Sequence, residues 1–153
     1  MAVVGVAVAA CGQAKQLPVT PLPPASVADT PGAAITLTTG VIIGSGRVLV
    51  DGQGQTLYGF TSDSQRQVTC TARCASVWRP LVLTSGQRVR ASGGVQRGLV
   101  GSDPYPGGAG RVVTYDRWPL YRFDGDLPGE ATSDQLPANG GTWFALTVSG
   151  QPD

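Results

Sequence analysis

From residue 35 onward the apolar positions fall in short runs set against polar ones, and no stretch sustains a helical period. Ile35-Thr36-Leu37-Thr38 alternates and predicts a first strand, and Arg47-Val48-Leu49-Val50 predicts a second. Asp51-Gly52-Gln53-Gly54 is a turn, so Gln55 to Phe60 reads as the returning strand of a hairpin, ended by Asp63-Ser64-Gln65. Cys70 to Trp78 predicts an irregular or short helical segment. Leu81-Val82-Leu83, after Pro80, and Gln87 to Ala91 predict two further strands. Leu99-Val100 is apolar, and Asp103 to Gly110 is a Pro/Gly loop. Arg111 to Tyr115 is a strand, Asp116-Arg117 a turn, and Pro119 to Phe123 the strand that returns. A long loop from Gly125 to Gly141 leads into a last strand, Thr142 to Val148.

This pattern occurs twice. Leu57-Tyr58-Gly59-Phe60-Thr61-Ser62-Asp63 and Leu120-Tyr121-Arg122-Phe123-Asp124-Gly125-Asp126 both read L-Y-x-F-x-x-D, and each leads to a tryptophan, Trp78 and Trp143. The tyrosines are 63 residues apart (121 − 58) and the tryptophans 65 (143 − 78), so the copies differ in length by two. A duplication that keeps aromatic, acidic and tryptophan positions fixes architecture more firmly than one isolated motif. It predicts an all-β chain: two similar β repeats packed around a pseudo-twofold into one small barrel- or sandwich-like domain, with a short helical turn near Cys70–Trp78. The domain is expected over 34–150, with repeat 1 at about 47–83 and repeat 2 at about 110–148. In each Y-x-F the aromatics point to one strand face and Leu57 and Leu120 to the other. Tyr58, Phe60, Tyr121 and Phe123 are therefore expected in the core rather than on a ligand platform. Each buried hydroxyl needs a partner, which the Asp five residues on supplies, unless that Asp caps the turn it begins.

Composition narrows the chemistry. Among 153 residues there are 22 Gly and 12 Pro, with only 14% charged, which suits short strands and many turns. The net charge of +1 and the scattered basic residues argue against nucleic acid as a partner. There is no histidine. That removes the usual general base and the commonest metal ligand, and with them Ser-His-Asp and Cys-His catalysis. No cofactor is expected, and the chain is not expected to be an enzyme.

The N-terminal residues read as an address. Ala2 to Ala10 is a run of small apolar residues ending Val8-Ala9-Ala10-Cys11-Gly12, which resembles a bacterial lipobox. The run is too short to span a bilayer and fits the h-region of a signal peptide, although no Lys or Arg precedes it in this sequence. The plain alternative is a buried strand with an incidental cysteine. We expect a lipoprotein signal peptide over 1–11 with Cys11 lipidated, then a proline-rich tether over 12–33 carrying Pro18, Pro21, Pro23, Pro24 and Pro31. The protein would then be exported and lipid-anchored, at the outer face of the cytoplasmic membrane or in the periplasm. The membrane is its one expected partner; the sequence names no protein or small molecule.

With Cys11 lipidated, Cys70 and Cys74 remain, and an oxidising location favours a disulfide between them. The loop it closes is tiny, so the bridge would shape a turn more than hold the fold. A redox-active dithiol beside Trp78 is the functional alternative, although thioredoxin-like sites use C-x-x-C. A zinc site lacks the further ligands it would need.

Leu57 to Leu81, with L-Y-x-F-x-x-D and then C-x-x-x-C-A-x-x-W-x-P-L, resembles the bacterial secreted-repeat lipoproteins known for a Y-x-(F/W/Y)-x-x-D motif. Val113 to Phe144, with T-Y-D-R-W-P-L-Y-R-F-x-x-D-x-P-G and a late Trp-Phe, is similar to that family's second repeat. The likeness covers roughly 45–148. It departs at Arg79, where the family has the first Pro of W-P-P-L, and at Gln135 to Gly141, where the family is richer in glycine. The resemblance implies an exported, membrane-tethered repeat protein. It carries no catalytic residues with it.

The densest acidic stretch is Asp124, Asp126, Glu130 and Asp134. Hard cations bind such oxygens, but the spacing is not an EF-hand, and a solvated loop is the simpler expectation. Asp63 with Asp126 could in principle form a glycosidase-like carboxylate pair. The expectation is a non-enzymatic binding or envelope-associated module, with a thiol-redox or electron-transfer accessory role through Cys70 and Cys74 as the alternative. The residues it singles out are Cys11, Cys70, Cys74, and the motif set Tyr58, Phe60, Asp63, Trp78, Tyr121, Phe123, Asp126 and Trp143.

Overall fold

The structure, a computed structural model, describes residues 34–63 and 67–152; the lipobox, Cys11 and the tether lie outside them. Twelve strands follow in chain order: β1 Ile35–Ile42, β2 Gly46–Asp51, β3 Tyr58–Phe60, β4 Trp78–Pro80, β5 Val82–Leu83, β6 Val89–Ala91, β7 Val100–Pro104, β8 Arg111–Tyr115, β9 Trp118–Pro119, β10 Tyr121–Phe123, β11 Leu136–Ala138 and β12 Gly141–Ala145. A single 3-10 turn, Arg97–Leu99, precedes β7. The strands form three sheets, ordered β2-β1-β6, β11-β12-β3-β10-β4, and β5-β8-β7 with β9 also on β8. The sheets do not close into a barrel, and the packing is sandwich-like.

Alternation within the strands explains the core. Val48 and Val50, Tyr58 and Phe60, Val112, and Trp143 and Ala145 enter one apolar cluster. Their neighbours Leu49, Leu57, Val113, Phe144 and Leu146 enter a second. These strands are buried on both faces, so they read as continuous apolar runs rather than strict alternation. Tyr58 and Tyr121 fall in one cluster, Leu57 and Leu120 in the other, as the strand period predicts.

Turn chemistry sets the hairpins. Asp116 and Arg117 both have positive φ (45° and 71°) and join β8 to β9 as a two-residue loop. Asn139 and Gly140 (57° and 84°) do the same between β11 and β12. β11 therefore lies inside the stretch expected to be loop, and the Asn-Gly pair is the signal for it. β7 likewise runs through Asp103 and Pro104, where a loop was expected.

The expected hairpin after β2 is shorter than its sequence suggests. The Asp51 N–H donates to the Gln55 carbonyl, the Leu57 N–H to the Leu49 carbonyl, and Val50 bridges Thr56. Tyr58–Phe60 then leaves for the central sheet, and the long partner of β2 is β1. Residues 72–77 form turns, the irregular or short helical segment expected there. The Trp78 N–H does donate to the Cys74 carbonyl at 2.9 Å, one helical-type bond. Ala72, at φ 50°, breaks any regular helix there.

The central sheet carries the duplication. β3 and β10 run antiparallel and meet where Tyr58 pairs with Tyr121, on the pseudo-twofold. β12 flanks β3 with Trp143 opposite Phe60, and β4 flanks β10 with Trp78 opposite Phe123. Each repeat thus lends its tryptophan strand to the other repeat's Y-x-F strand.

Candidate functional site

The eight motif residues gather at this axis. Tyr58, Phe60, Trp78, Tyr121 and Trp143 are buried in one cluster, with Phe123 packed against it. Their polar members are paired across the repeats. The Tyr58 hydroxyl donates to Asp126 Oδ2 at 2.5 Å, and the Tyr121 hydroxyl donates to Asp63 Oδ2 at 2.5 Å. The acceptor is therefore the other repeat's Asp, not the Asp five residues downstream. The short local route loses because the sheet sets Tyr58 beside Tyr121, which carries each phenol to the far side of the axis.

Each Asp also closes its own turn. Asp63 Oδ1 accepts the Thr69 N–H at 2.7 Å and the Thr69 hydroxyl at 2.7 Å. Asp126 Oδ1 accepts the Thr132 N–H at 3.0 Å and the Thr132 hydroxyl at 2.5 Å. Thr69 and Thr132 stand at the same 63-residue offset as the tyrosines. They belong to the duplicated motif, and aligning the copies six residues past the Asp would have found them.

Asp63 is 1% exposed and Asp126 4%. Burying a carboxylate costs heavily unless its oxygens are satisfied, and three donors do so in each case. Burial, and then the hydrogen bond to Asp126, push the Tyr58 hydroxyl far above its ordinary value; Tyr121 is pushed up likewise by burial and Asp63. Both phenols stay protonated and act as donors.

Cys70 and Cys74 form a disulfide. Cys70 is buried in the cluster that holds Trp78, and Cys74 packs against it. The bridge thus ties the turns of 72–77 to the cluster that holds Trp78.

The acidic stretch does not converge. Asp124 pairs with Arg79 at the surface, and Asp126 is committed to Tyr58. Glu130 accepts the Leu127 N–H at 2.9 Å, and Asp134 accepts the Ala145 N–H at 2.7 Å. Among the described residues no group of three or more His, Cys, Asp or Glu could hold a metal ion. A pair that sequence reading missed is Asp51 with Arg122. Asp51 is buried, accepts the Gln53 and Gln55 N–H groups, and is bound by Arg122 Nε at 2.6 Å. An open cleft of about 330 Å³ lies against β7 and β8, lined by Ser102, Asp103, Arg111 and Arg117 among others, and no motif residue reaches it.

Fold and site together define a duplicated all-β domain whose two halves are joined by exchanged tryptophan strands and crossed Tyr–Asp pairs. The family described as "Secreted repeat of unknown function" matches residues 41–82 and 108–147. The chain belongs to that family, and as such it is an exported protein. Comparison with curated proteins and with solved structures gave no match.

Proposed function

We propose that the protein is a lipid-anchored extracytoplasmic module, held off the outer face of the cytoplasmic membrane or in the periplasm, that binds or organises rather than catalyses. The observation that carries this reading is the fate of the repeated polar groups. Tyr58, Tyr121, Asp63 and Asp126 are buried and spend their hydrogen bonds on one another and on Thr69 and Thr132. A duplicated motif used up in this way builds a scaffold; it presents no acid, base or nucleophile to a substrate. The lipobox-like Val8 to Gly12 and the proline-bearing 12–33 segment support the anchor and the spacer.

The anchor is tested by detergent phase partition of the protein expressed in a bacterial envelope. Wild type enters the detergent phase, and Cys11→Ala moves to the aqueous phase. Retention of Cys11→Ala in the detergent phase rejects lipidation at Cys11. The non-enzymatic reading is tested on a broad hydrolase substrate panel. Turnover that disappears with Asp63→Asn or Asp126→Asn overturns it.

The disulfide supports a second reading, a thiol-redox accessory role through Cys70 and Cys74. Burial of Cys70 weighs against it, since catalytic cysteines are partly exposed. A bridge that a mild reductant opens in the folded protein and a mild oxidant such as glutathione disulfide recloses favours this role; a bridge that resists the reductant excludes it.

A further inference from the structure

A column of four aromatic rings, two from each repeat, runs through the core across the pseudo-twofold. Phe60 stacks on Trp143 with centroids 4.1 Å apart and planes within 10°. Trp143 stacks on Trp78 at 3.7 Å and 3°. Phe123 ends the column on Trp78 at 4.7 Å and 40°. Each indole also meets a tyrosine edge-on, Tyr58 on Trp78 at 5.3 Å and Tyr121 on Trp143 at 5.1 Å. Those are the tyrosines that donate to Asp126 and Asp63.

We infer that this assembly is a site of one-electron oxidation, in which the stacked Trp78–Trp143 pair takes up a hole and a Tyr–Asp pair receives it.

Three features of the structure lead there. The first is electrostatic. Among the described residues the ion pairs are Arg79–Asp124 and Arg122–Asp51, so Asp63 and Asp126 lie buried without a cation. Two buried carboxylates, each hydrogen-bonded to a tyrosine that meets one of the indoles edge-on, favour a positive charge on the pair, in a medium where such fields are strong. The second is the stack itself. Near-parallel rings 3.7 Å apart share a cation radical between them and lower the cost of forming it. The third is the proton. Trp143 Nε1 is a buried donor with no hydrogen-bond partner, so oxidised Trp143 has nowhere to release its proton and remains an oxidant. The phenols do have an exit, a 2.5 Å hydrogen bond to a carboxylate in each repeat.

The step balances as follows. An outer-sphere one-electron oxidant at the protein surface accepts an electron from the indole pair and is reduced by one. Tyr58 then returns an electron to Trp78 while its phenolic proton passes to Asp126 Oδ2; Tyr121, Trp143 and Asp63 form the equivalent route. One O–H bond breaks and one forms, and the protein loses one electron and no proton. The products are a neutral tyrosyl radical and a neutral carboxylic acid, so oxidation removes a buried charge. An exported domain would thereby hold an oxidising equivalent away from its surface.

The test is laser flash-quench oxidation of the full chain by photoexcited tris(bipyridine)ruthenium, with pentaamminechlorocobalt(III) as electron acceptor. It uses a Trp118→Phe background, because Trp118 stands outside the column against Phe144. Transient absorption is expected to show the near-infrared charge-resonance band of a shared indole cation, decaying into a tyrosyl signal more slowly in deuterated water. With Tyr58→Phe and Tyr121→Phe combined, the tyrosyl signal is lost and the indole signal persists. A tyrosyl signal that survives the double substitution arises from Tyr105 or Tyr115 and overturns the proposal. The folded protein also serves without those substitutions: absence of the near-infrared band, or the same spectrum in guanidinium, overturns the shared hole.

Discussion

The two repeats agree at the motif residues around the axis and differ at positions beside them. Tyr58, Asp63 and Thr69 are answered by Tyr121, Asp126 and Thr132 in one hydrogen-bond pattern. The middle residue of Y-x-F is Gly59 in one copy and Arg122 in the other. A Cβ on Gly59 would lie 2.6 Å from the Phe144 ring, whereas Arg122 reaches out to the buried Asp51. The bridge Cys70–Cys74 belongs to repeat 1 alone, with buried Ser133 at the Cys70 offset in repeat 2. Duplication therefore holds fixed the Tyr, Asp and Thr groups that bind one another around the axis. Positions beside them have diverged, Gly59 against Arg122 and Cys70 against Ser133, although Arg122 also reaches across to repeat 1.

The strongest way to break this comparison is to remove one carboxylate. Asp63→Ala strands the Tyr121 hydroxyl and both Thr69 donors, and Asp126→Ala strands the Tyr58 hydroxyl and both Thr132 donors. Each should cost roughly 4 kcal/mol in urea unfolding, since a buried unmet donor costs about 1–3 kcal/mol. The comparison requires the two costs to match.

The diverged positions come next. Gly59→Ala should cost about 1–3 kcal/mol by overpacking Phe144, and Arg122→Ala a similar amount by leaving Asp51 without its cation. The two substitutions fail for unrelated reasons, so Arg122→Gly should not restore the stability that Arg122→Ala loses. Recovery would mean that Arg122 sits on a backbone built for glycine.

Opening the disulfide should cost roughly 2 kcal/mol, the chain-entropy value for so short a loop. Cys70→Ser with Cys74→Ala places at residue 70 the serine that repeat 2 carries at that offset, and it should leave the circular dichroism of the folded state unchanged.

Tyr58→Phe and Tyr121→Phe should each cost about 1–2 kcal/mol, the smallest effect. They also alter alkaline stability. Both phenols are raised in the fold from an ordinary value of 10.0, so the protonated form is the one folding favours. Their contribution is complete below that value and falls as pH rises above it, when unfolded tyrosine ionises and the folded one does not. Unfolding followed from pH 9 to 12 should be less steep in pH for the double Phe variant than for wild type, with the extra slope appearing above about pH 10.

Much of this was legible in the chain. The repeat, the strand faces of Tyr58 and Leu57 and the Asp116-Arg117 turn follow from spacing and turn chemistry, and the pairing of Cys70 with Cys74 from the cysteine count and an oxidising location. The partners of the Tyr58 and Tyr121 hydroxyls did not. Strand period gives the face on which a side chain lies but not which of two like halves stands opposite. The local Asp was the nearer choice in sequence and the wrong one in space. The expected irregular turn at 72–77 is there, with one helical-type bond between Trp78 and Cys74, and the left-handed φ of Ala72 keeps it from becoming a helix. β11 was missed because residues 125–141 were read by their glycine and proline content; the hairpin signal Asn139-Gly140 lay inside them.

The crossing of the repeats is tested most directly by two double-mutant cycles on urea stability. Tyr58→Phe with Asp126→Asn should show a coupling of about 1–2 kcal/mol, and Tyr58→Phe with Asp63→Asn a coupling near zero. A strong coupling between Tyr58 and Asp63, with none between Tyr58 and Asp126, would show that each repeat closes on itself and contradict the account.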